Sequence, residues 1–270
     1  MPAGSRPPIL SEAQFLRVRT LVSQRTGVFL AADRRAAVAA RLGKRLRQLQ
    51  LSTFEQYLQL VEQPEQQQEQ QRVLDLLIAH DSYFFREHRH FECLAQWLRD
   101  MPRPLRLWSA ACASGEEAYS LAMVASENAV NDDWSVLASD VSPNLLQQAS
   151  EGIYDVAQAR YFPQGWLQRY CLCGVGETAG RMRIAAFLRE RLTFRPINLI
   201  QSLPGDLGLF DVIFLRNLLT YFSQDEKQRV VDRLLACLRP GGLLLIGHSE
   251  SIHGLDLPLR PILPSVFERL

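Results

Sequence analysis

The chain reads as a doubly wound α/β domain on a mostly parallel sheet, preceded by a domain of helices. Three observations carry that reading. Apolar runs at 210–215 and 243–246 have no polar alternation, as expected of parallel strands covered on both faces. From Arg106 onward such runs alternate with helical spacing, the pattern of repeated strand–helix units. Residues 11–60, in contrast, recur at helical spacing only.

In order, Ser11 with Gln14 caps a helix carrying Phe15, Val18, Leu21 and Val22, and Gly27 ends it. A second helix runs from about Asp33 with Ala37, Val38, Ala40, Leu42 and Leu46 apolar. Ser52 is expected to cap a third around Phe54, Tyr57, Leu58 and Val61. The Gln/Glu-rich stretch 62–71 around Pro64 reads as a loop or solvated helix start, and a fourth helix carries Val73, Leu74, Leu76 and Leu77. Strands follow at 105–109 and 134–139, a helix at 116–128, and another from Pro143, proline suiting a first turn. Residues 191–195 make a possible strand, 225–237 a helix, and 243–247 a strand entered through Pro240-Gly241-Gly242. Residues 160–195 break the alternation and read as a small inserted unit. The expected domains are therefore 1–85 and 86–270, with the insertion at about 160–195.

Bulk composition excludes more than it selects. With 270 residues, 47% of them hydrophobic, and a formal charge of +1, nothing marks the whole molecule as a nucleic-acid or membrane binder. The exception is local: nine Lys/Arg against the single acid Asp33 between Arg17 and Arg47. Five cysteines without framework spacing point to reduced thiols, and Cys171-x-Cys173 lacks the second pair a zinc site needs, so no metal is expected. Residues 1–8 lack a signal-peptide apolar stretch, and no apolar run is long enough to span a bilayer. A soluble cytoplasmic protein is expected, without membrane insertion, and nothing demands more than a monomer.

Ligands of open α/β sheets lie outside the carboxyl ends of the strands. After the first strand comes Ser109-Ala110-Ala111-Cys112-Ala113-Ser114-Gly115-Glu116-Glu117. Small residues admit a ligand close to backbone, but this is neither a G-x-G-x-x-G nor a P-loop. Two acids at a helix start repel a pyrophosphate and suit a cationic amine or ribose hydroxyls. They also simply complement the helix dipole. Asp140 follows the second strand, 25 positions after Gly115, where a carboxylate can accept from both ribose hydroxyls or cap the next helix. After 210–215 come Arg216 and Asn217, with Tyr221 four residues beyond. If that stretch is helical, Tyr221 shares a face with Asn217.

Four segments together resemble the chemotaxis receptor methyltransferase (CheR) family: Ser82-Tyr83-Phe84-Phe85-Arg86-Glu87, residues 108–117 with Tyr119-Ser120, residues 214–222, and Gly247-His248-Ser249-Glu250. The likeness runs from about residue 12 to the last strand. It implies a class I S-adenosylmethionine-dependent methyltransferase sheet with an N-terminal helical domain and a small inserted antiparallel β-subdomain, in a bacterial signalling enzyme. The implied cofactor is S-adenosylmethionine, with S-adenosylhomocysteine as product. By the resemblance, Glu117 and Asp140 bind the methionine part and the ribose, Asn198 and Leu199 flank the adenine, and Arg216 and Asn217 make further contacts. Arg86 lies beside cofactor and substrate, and Tyr221 is the active-site tyrosine. His80 and Ser82 stand where the family commonly has N-x-T, so the hydroxyl is kept and His80 brings a bulkier, titratable ring. Residues 257–264 carry three prolines where a hairpin is expected, so the edge strand should be irregular.

The implied reaction esterifies glutamate side chains of chemoreceptors. A carboxylate is already ionised at neutral pH, so it needs alignment and not a general base. The resemblance further implies docking of the receptor's methylation helices on a basic helix (Arg34, Arg41, Lys44, Arg45), and in some members capture of a receptor C-terminal pentapeptide by the β-subdomain. Gly174, Gly176 and Gly180 suit either that peptide-holding loop or an ordinary hairpin turn. Two alternatives stay open: a nucleic-acid methyltransferase, although 215–218 lacks the Pro-Pro-aromatic that holds a flipped base, and a non-catalytic S-adenosylmethionine-binding adaptor.

Overall fold

A computed structural model describes residues 9–78 and 82–270; the expectation for His80 lies outside the described residues. The described chain divides into two units, residues 9–78 with Tyr221–Ser223, and residues 82–220 with 224–270.

The first unit is helical: α1 (Glu12–Thr26), α2 (Arg35–Gln48), α3 (Phe54–Val61) and α4 (Gln67–Leu77). Ser11 and Gln14 form a reciprocal capping box on α1, and Gly27, at φ 73°, ends it in the left-handed conformation that glycine adopts without strain. The cap of α3 is Thr53, not Ser52: the Thr53 hydroxyl accepts from Gln56 N–H at 3.2 Å, and the Gln56 side chain reaches back. Val18, Val22, Val38, Leu42, Leu46, Phe54, Leu58, Val61 and Leu74 form the buried core, whereas Ala37 and Ala40 face outward.

The Gln/Glu-rich segment is not merely solvated. Gln70 is buried and caps α3 by donating to Val61 O at 2.9 Å and Gln63 O at 3.1 Å. Glu69 takes Arg45 in a bidentate pair (2.9 and 2.6 Å) and the Tyr57 hydroxyl at 2.8 Å. Arg41 donates to the carbonyls of Leu76 (2.9 Å) and Leu77 (3.3 Å), closing the end of α4.

In the second unit, a seven-stranded sheet has the order β6-β2-β1-β7-β8-β10-β9. Its strands are β1 (Leu105–Ser109), β2 (Trp134–Asp140), β6 (Leu192–Pro196), β7 (Phe210–Leu215), β8 (Leu238–Ile246), β9 (Leu259–Leu263) and β10 (Val266–Arg269). The first five pair in parallel, and β10 pairs antiparallel with both β8 and β9. Helices α5 (Arg89–Arg99), α6 (Glu116–Asn128), α7 (Pro143–Glu151) and α10 (Gln224–Ala236) complete the layers. The strand order reverses between β1 and β7, and such a switch point opens a crevice at the carboxyl ends of the strands. Pro240-Gly241-Gly242 lies within β8 and forms a bulge against β7; a Cβ on Gly242 would meet Asp211 O at 2.7 Å. The prolines at the edge fall in and beside β9, whose register with β10 shifts at Val266.

A second sheet, β3 (Ile153–Asp155), β5 (Arg181–Ile184) and β4 (Cys171–Cys173), is antiparallel, with short helices α8 (Trp166–Tyr170) and α9 (Ala186–Arg189). It begins before residue 160, and the segment it leaves returns to the main sheet as β6 before residue 195. Gly174 packs so tightly on Thr178 that a Cβ would strike its carbonyl, while Gly176 and Gly180 supply left-handed turns.

Candidate active site

The turn after β1 is held by the neighbouring strands and by Tyr154. Ala110 N–H donates to Phe214 O at 2.8 Å, Cys112 N–H to Ser139 O at 2.9 Å, and the Tyr154 hydroxyl to Ser114 O at 2.7 Å. Gly115 takes φ 98°, and a Cβ there would meet Ala149 Cβ at 2.7 Å and the Tyr154 hydroxyl at 2.8 Å. Only glycine fits that approach. Asp140 ties this turn to the one after β2: one carboxylate oxygen accepts from Ala113 N–H and the other from Ser142 N–H, both at 3.0 Å. A carboxylate oxygen can accept more than once, so these bonds leave capacity for a ligand hydroxyl.

Glu117, in the first turn of α6, accepts from the Ser109 hydroxyl at 2.6 Å and pairs with Arg216 at 3.4 Å. Burial pushes its carboxyl above the usual range, against the pull of Arg216. The Arg216 guanidinium is buried (1% exposed) over the rings of Phe91 and Phe214, each 5.6 Å away. It donates to the carbonyl of Arg86 and pairs with Glu87 at 3.2 Å. Glu87 is penalised by burial, yet the attraction of Arg216 and the Asn217 amide leave it below the ordinary carboxylate range.

Arg86 is framed by two non-glycine residues in the left-handed region, Phe85 (φ 55°) and Glu87 (φ 58°). Left-handed backbone costs about 1–2 kcal/mol per residue, so the surroundings must impose it. Phe84 packs edge-on to Tyr154 and Phe162, and Phe85 to Phe91, Phe162 and Trp166. Phe85 N–H donates to the Ser120 hydroxyl at 3.0 Å, and that hydroxyl donates to Glu116 O at 2.7 Å. The segment is thereby bolted to α6, and the positive charge of Arg86 acts on Glu117.

Asn217 is also left-handed (φ 60°), and a 3-10 turn, Leu219–Tyr221, follows. The α-helical premise that set Tyr221 on the face of Asn217 therefore fails. Tyr221 groups with the helical unit, its carbonyl accepting from Phe29 N–H at 2.9 Å. What orders this loop is Glu250, which accepts from the N–H groups of Gly247 (2.7 Å), Asn217 (2.8 Å) and Thr220 (3.3 Å). The Asn217 amide reaches Glu87 at 3.3 Å, and a Cβ on Gly247 would lie 2.6 Å from that amide nitrogen.

Arg86, Glu117, Arg216 and Asn217 thus converge. Asp140 joins them through the turn after β1, and its carbonyl accepts from Ile197 N–H at 3.2 Å, placing Asn198 and Leu199 next in the chain. The Asn198 side chain accepts from Ile200 N–H at 3.2 Å, while buried Leu199 offers its carbonyl to Arg233 at 3.1 Å. Ser82 is half-buried at the start of the Arg86 segment. Glu87 and Glu250 stood in quoted segments without a role; their only signal was an acid at the lip of a buried strand or aromatic pair. Beside them His90 is buried, and burial, then Arg216, lower its pKa to about 4.

The first turn of α6 supplies two carboxylates, Glu116 and Glu117, and no Lys or Arg of its own, a composition that suits an amine and ribose hydroxyls better than a pyrophosphate. Glu117 and Asp140 place carboxylate acceptors beside the turn after β1, and among the described residues buried Arg216 Nε and Nη1 have no hydrogen-bond partner. Comparisons agree with that class. Residues 80–262 match "CheR methyltransferase, SAM binding domain", and residues 13–78 match "CheR methyltransferase, all-alpha domain". The chain is 38% identical over 249 residues to a chemotaxis protein methyltransferase of Escherichia coli, covering 92% of this chain and 87% of that protein. It is 34% identical over 263 residues to chemotaxis protein methyltransferase 2 of Pseudomonas aeruginosa, covering 93% of each. The chain belongs to the CheR methyltransferase family, and its cofactor is S-adenosylmethionine.

Proposed function

We propose that this protein methylates glutamate side chains of chemoreceptors, forming methyl esters, with Arg86 positioning the acceptor carboxylate. The observation that supports this is the hold on Arg86: its carbonyl is clamped by Arg216, and aromatic packing and the Ser120 hydroxyl fix the strained residue before it. The bound cofactor supplies an activated methyl group. Glu117 and Asp140 hold its amine and ribose, Asn198 and Leu199 flank its base, Ser82, Arg216 and Asn217 complete the pocket, and Tyr221 helps orient the substrate. No proton need move, because the acceptor is ionised at neutral pH. The planar fork of Arg86 can pair bidentately with it and fix the near-attack geometry.

Arg86→Ala is expected to lower methyl transfer to a receptor signalling fragment by about a hundredfold or more, while calorimetry finds S-adenosylhomocysteine affinity changed less than about fivefold. Full activity in the variant, or base-stable label on nucleic acid in place of base-labile label on receptor, would overturn the reading.

For docking, Arg34 just before α2 and Arg41 and Lys44 on it are exposed; Arg41 also holds the end of α4, and Arg45 is committed to Glu69. The receptor's acidic helices are the partner this face suits, with Arg45 a structural residue. In the small sheet, β4 is an edge with Leu172 exposed, and Val175 follows it, also exposed; a receptor C-terminal peptide can add there as a further strand.

A further inference from the structure

Glu87, His90 and His248 bring one carboxylate oxygen and two imidazole nitrogens within 4.8 Å of one another. His90 Nδ1 lies 3.4 Å from Glu87 Oε2, and the two imidazole rings meet edge to face at 4.6 Å. His90 is only 1% exposed, yet among the described residues neither of its ring nitrogens has a hydrogen-bond partner. Buried polar atoms are rarely left so, and an orphaned buried imidazole facing a carboxylate and a second imidazole calls for a ligand. His248 is exposed, so an ion can enter from solvent. Two nitrogens and one oxygen suit a borderline cation such as Zn²⁺ or Ni²⁺ better than Mg²⁺ or Ca²⁺. Tetrahedral coordination wants ligand atoms roughly 3.4 Å apart, so the cluster must draw in by about 1 Å.

The same Glu87 oxygen is 3.2 Å from Arg216, and the other takes the Asn217 amide at 3.3 Å. A cation must displace Arg216 from Glu87. We infer that Glu87, His90 and His248 form a transition-metal site at the rim of the crevice, and that filling it loosens Arg216 and Asn217 and so opposes cofactor binding. The second clause rests on Arg216 and Asn217 being cofactor contacts.

The test is calorimetric titration of ZnCl₂ into the full-length, tag-free protein, and of S-adenosylhomocysteine with and without saturating Zn²⁺. One Zn²⁺ should bind at this site, and His248→Ala, whose change is at the surface, should weaken it more than about tenfold. Saturating Zn²⁺ should lower S-adenosylhomocysteine affinity about fivefold or more in the wild type and not in His248→Ala, and S-adenosylhomocysteine should weaken Zn²⁺ binding by the same factor. Equal Zn²⁺ affinity in wild type and variant overturns the site. Binding through the site with no reciprocal coupling overturns the inhibition. Metal-free Arg216→Lys that retains full S-adenosylhomocysteine affinity would instead overturn the cofactor assignment, separately from the metal site.

Discussion

At the scale of single residues, one buried acid orders two loops of the site. Glu250 gathers three backbone N–H groups from the loops after β7 and β8. Replacing it with alanine leaves those donors without their acceptor, at a cost on the order of 2–3 kcal/mol. Urea denaturation should show that loss, and S-adenosylhomocysteine affinity should fall with it. Burial raises the Glu250 carboxyl against the pull of those N–H groups. Its folded-state pKa is therefore above its unfolded one, and the stability linked to it is full at low pH and declines as pH rises through the folded value. Gly247→Ala is sharper: the new Cβ would displace the Asn217 amide, at about 1–3 kcal/mol of strain. Cofactor affinity should drop about tenfold or more, a change visible in titration even where the fold survives.

At the scale of elements, the helical unit depends on Glu69, which joins α2, α3 and α4 through Arg45 and Tyr57. The Arg45 pair holds the Glu69 carboxyl below the usual carboxylate range despite its burial. A depressed acid stabilises the fold above its unfolded pKa, near 4.5, and that contribution is lost as pH falls through the folded value. Acid titration followed by helix circular dichroism should therefore show this unit weakening below about pH 4.5. Glu69→Ala should cost about 3 kcal/mol, because Arg45 and Tyr57 lose their partner. This cluster was invisible in the sequence, where 62–71 reads as a polar run. The composition was legible; that two of its residues turn inward was not, since their partners lie on other helices. The strands were easier to read, because Val212–Leu215 of β7 and Leu243–Ile246 of β8 are uninterrupted apolar runs that admit no competing pattern.

At the scale of the whole molecule, the proposed partner is a receptor bundle rich in target glutamates. If Arg34, Arg41 and Lys44 receive it, Lys44→Glu should reduce receptor methylation severalfold at low salt, with the gap closing as ionic strength rises. S-adenosylhomocysteine affinity should stay unchanged. Arg45→Glu should instead lower the melting temperature of the helical unit, because that guanidinium is already paired. A salt-independent receptor affinity would remove the electrostatic basis of docking.

Local signals in the chain determined the helical start, the parallel strands and the small-residue turn, and singled out Glu117 and Asp140 as candidates, because each depends on neighbours a few residues away. The inward turn of Arg45, the Thr53 cap, the 3-10 turn before Tyr221 and the Glu87–Arg216–Glu117 network were settled only by the tertiary structure. Arg86 and Arg216 are 130 positions apart, and Asn217 and Glu250 are 33 apart. Contacts across such separations form only when the sheet brings its strand ends together, and charges buried there take whatever partners the packing leaves within reach.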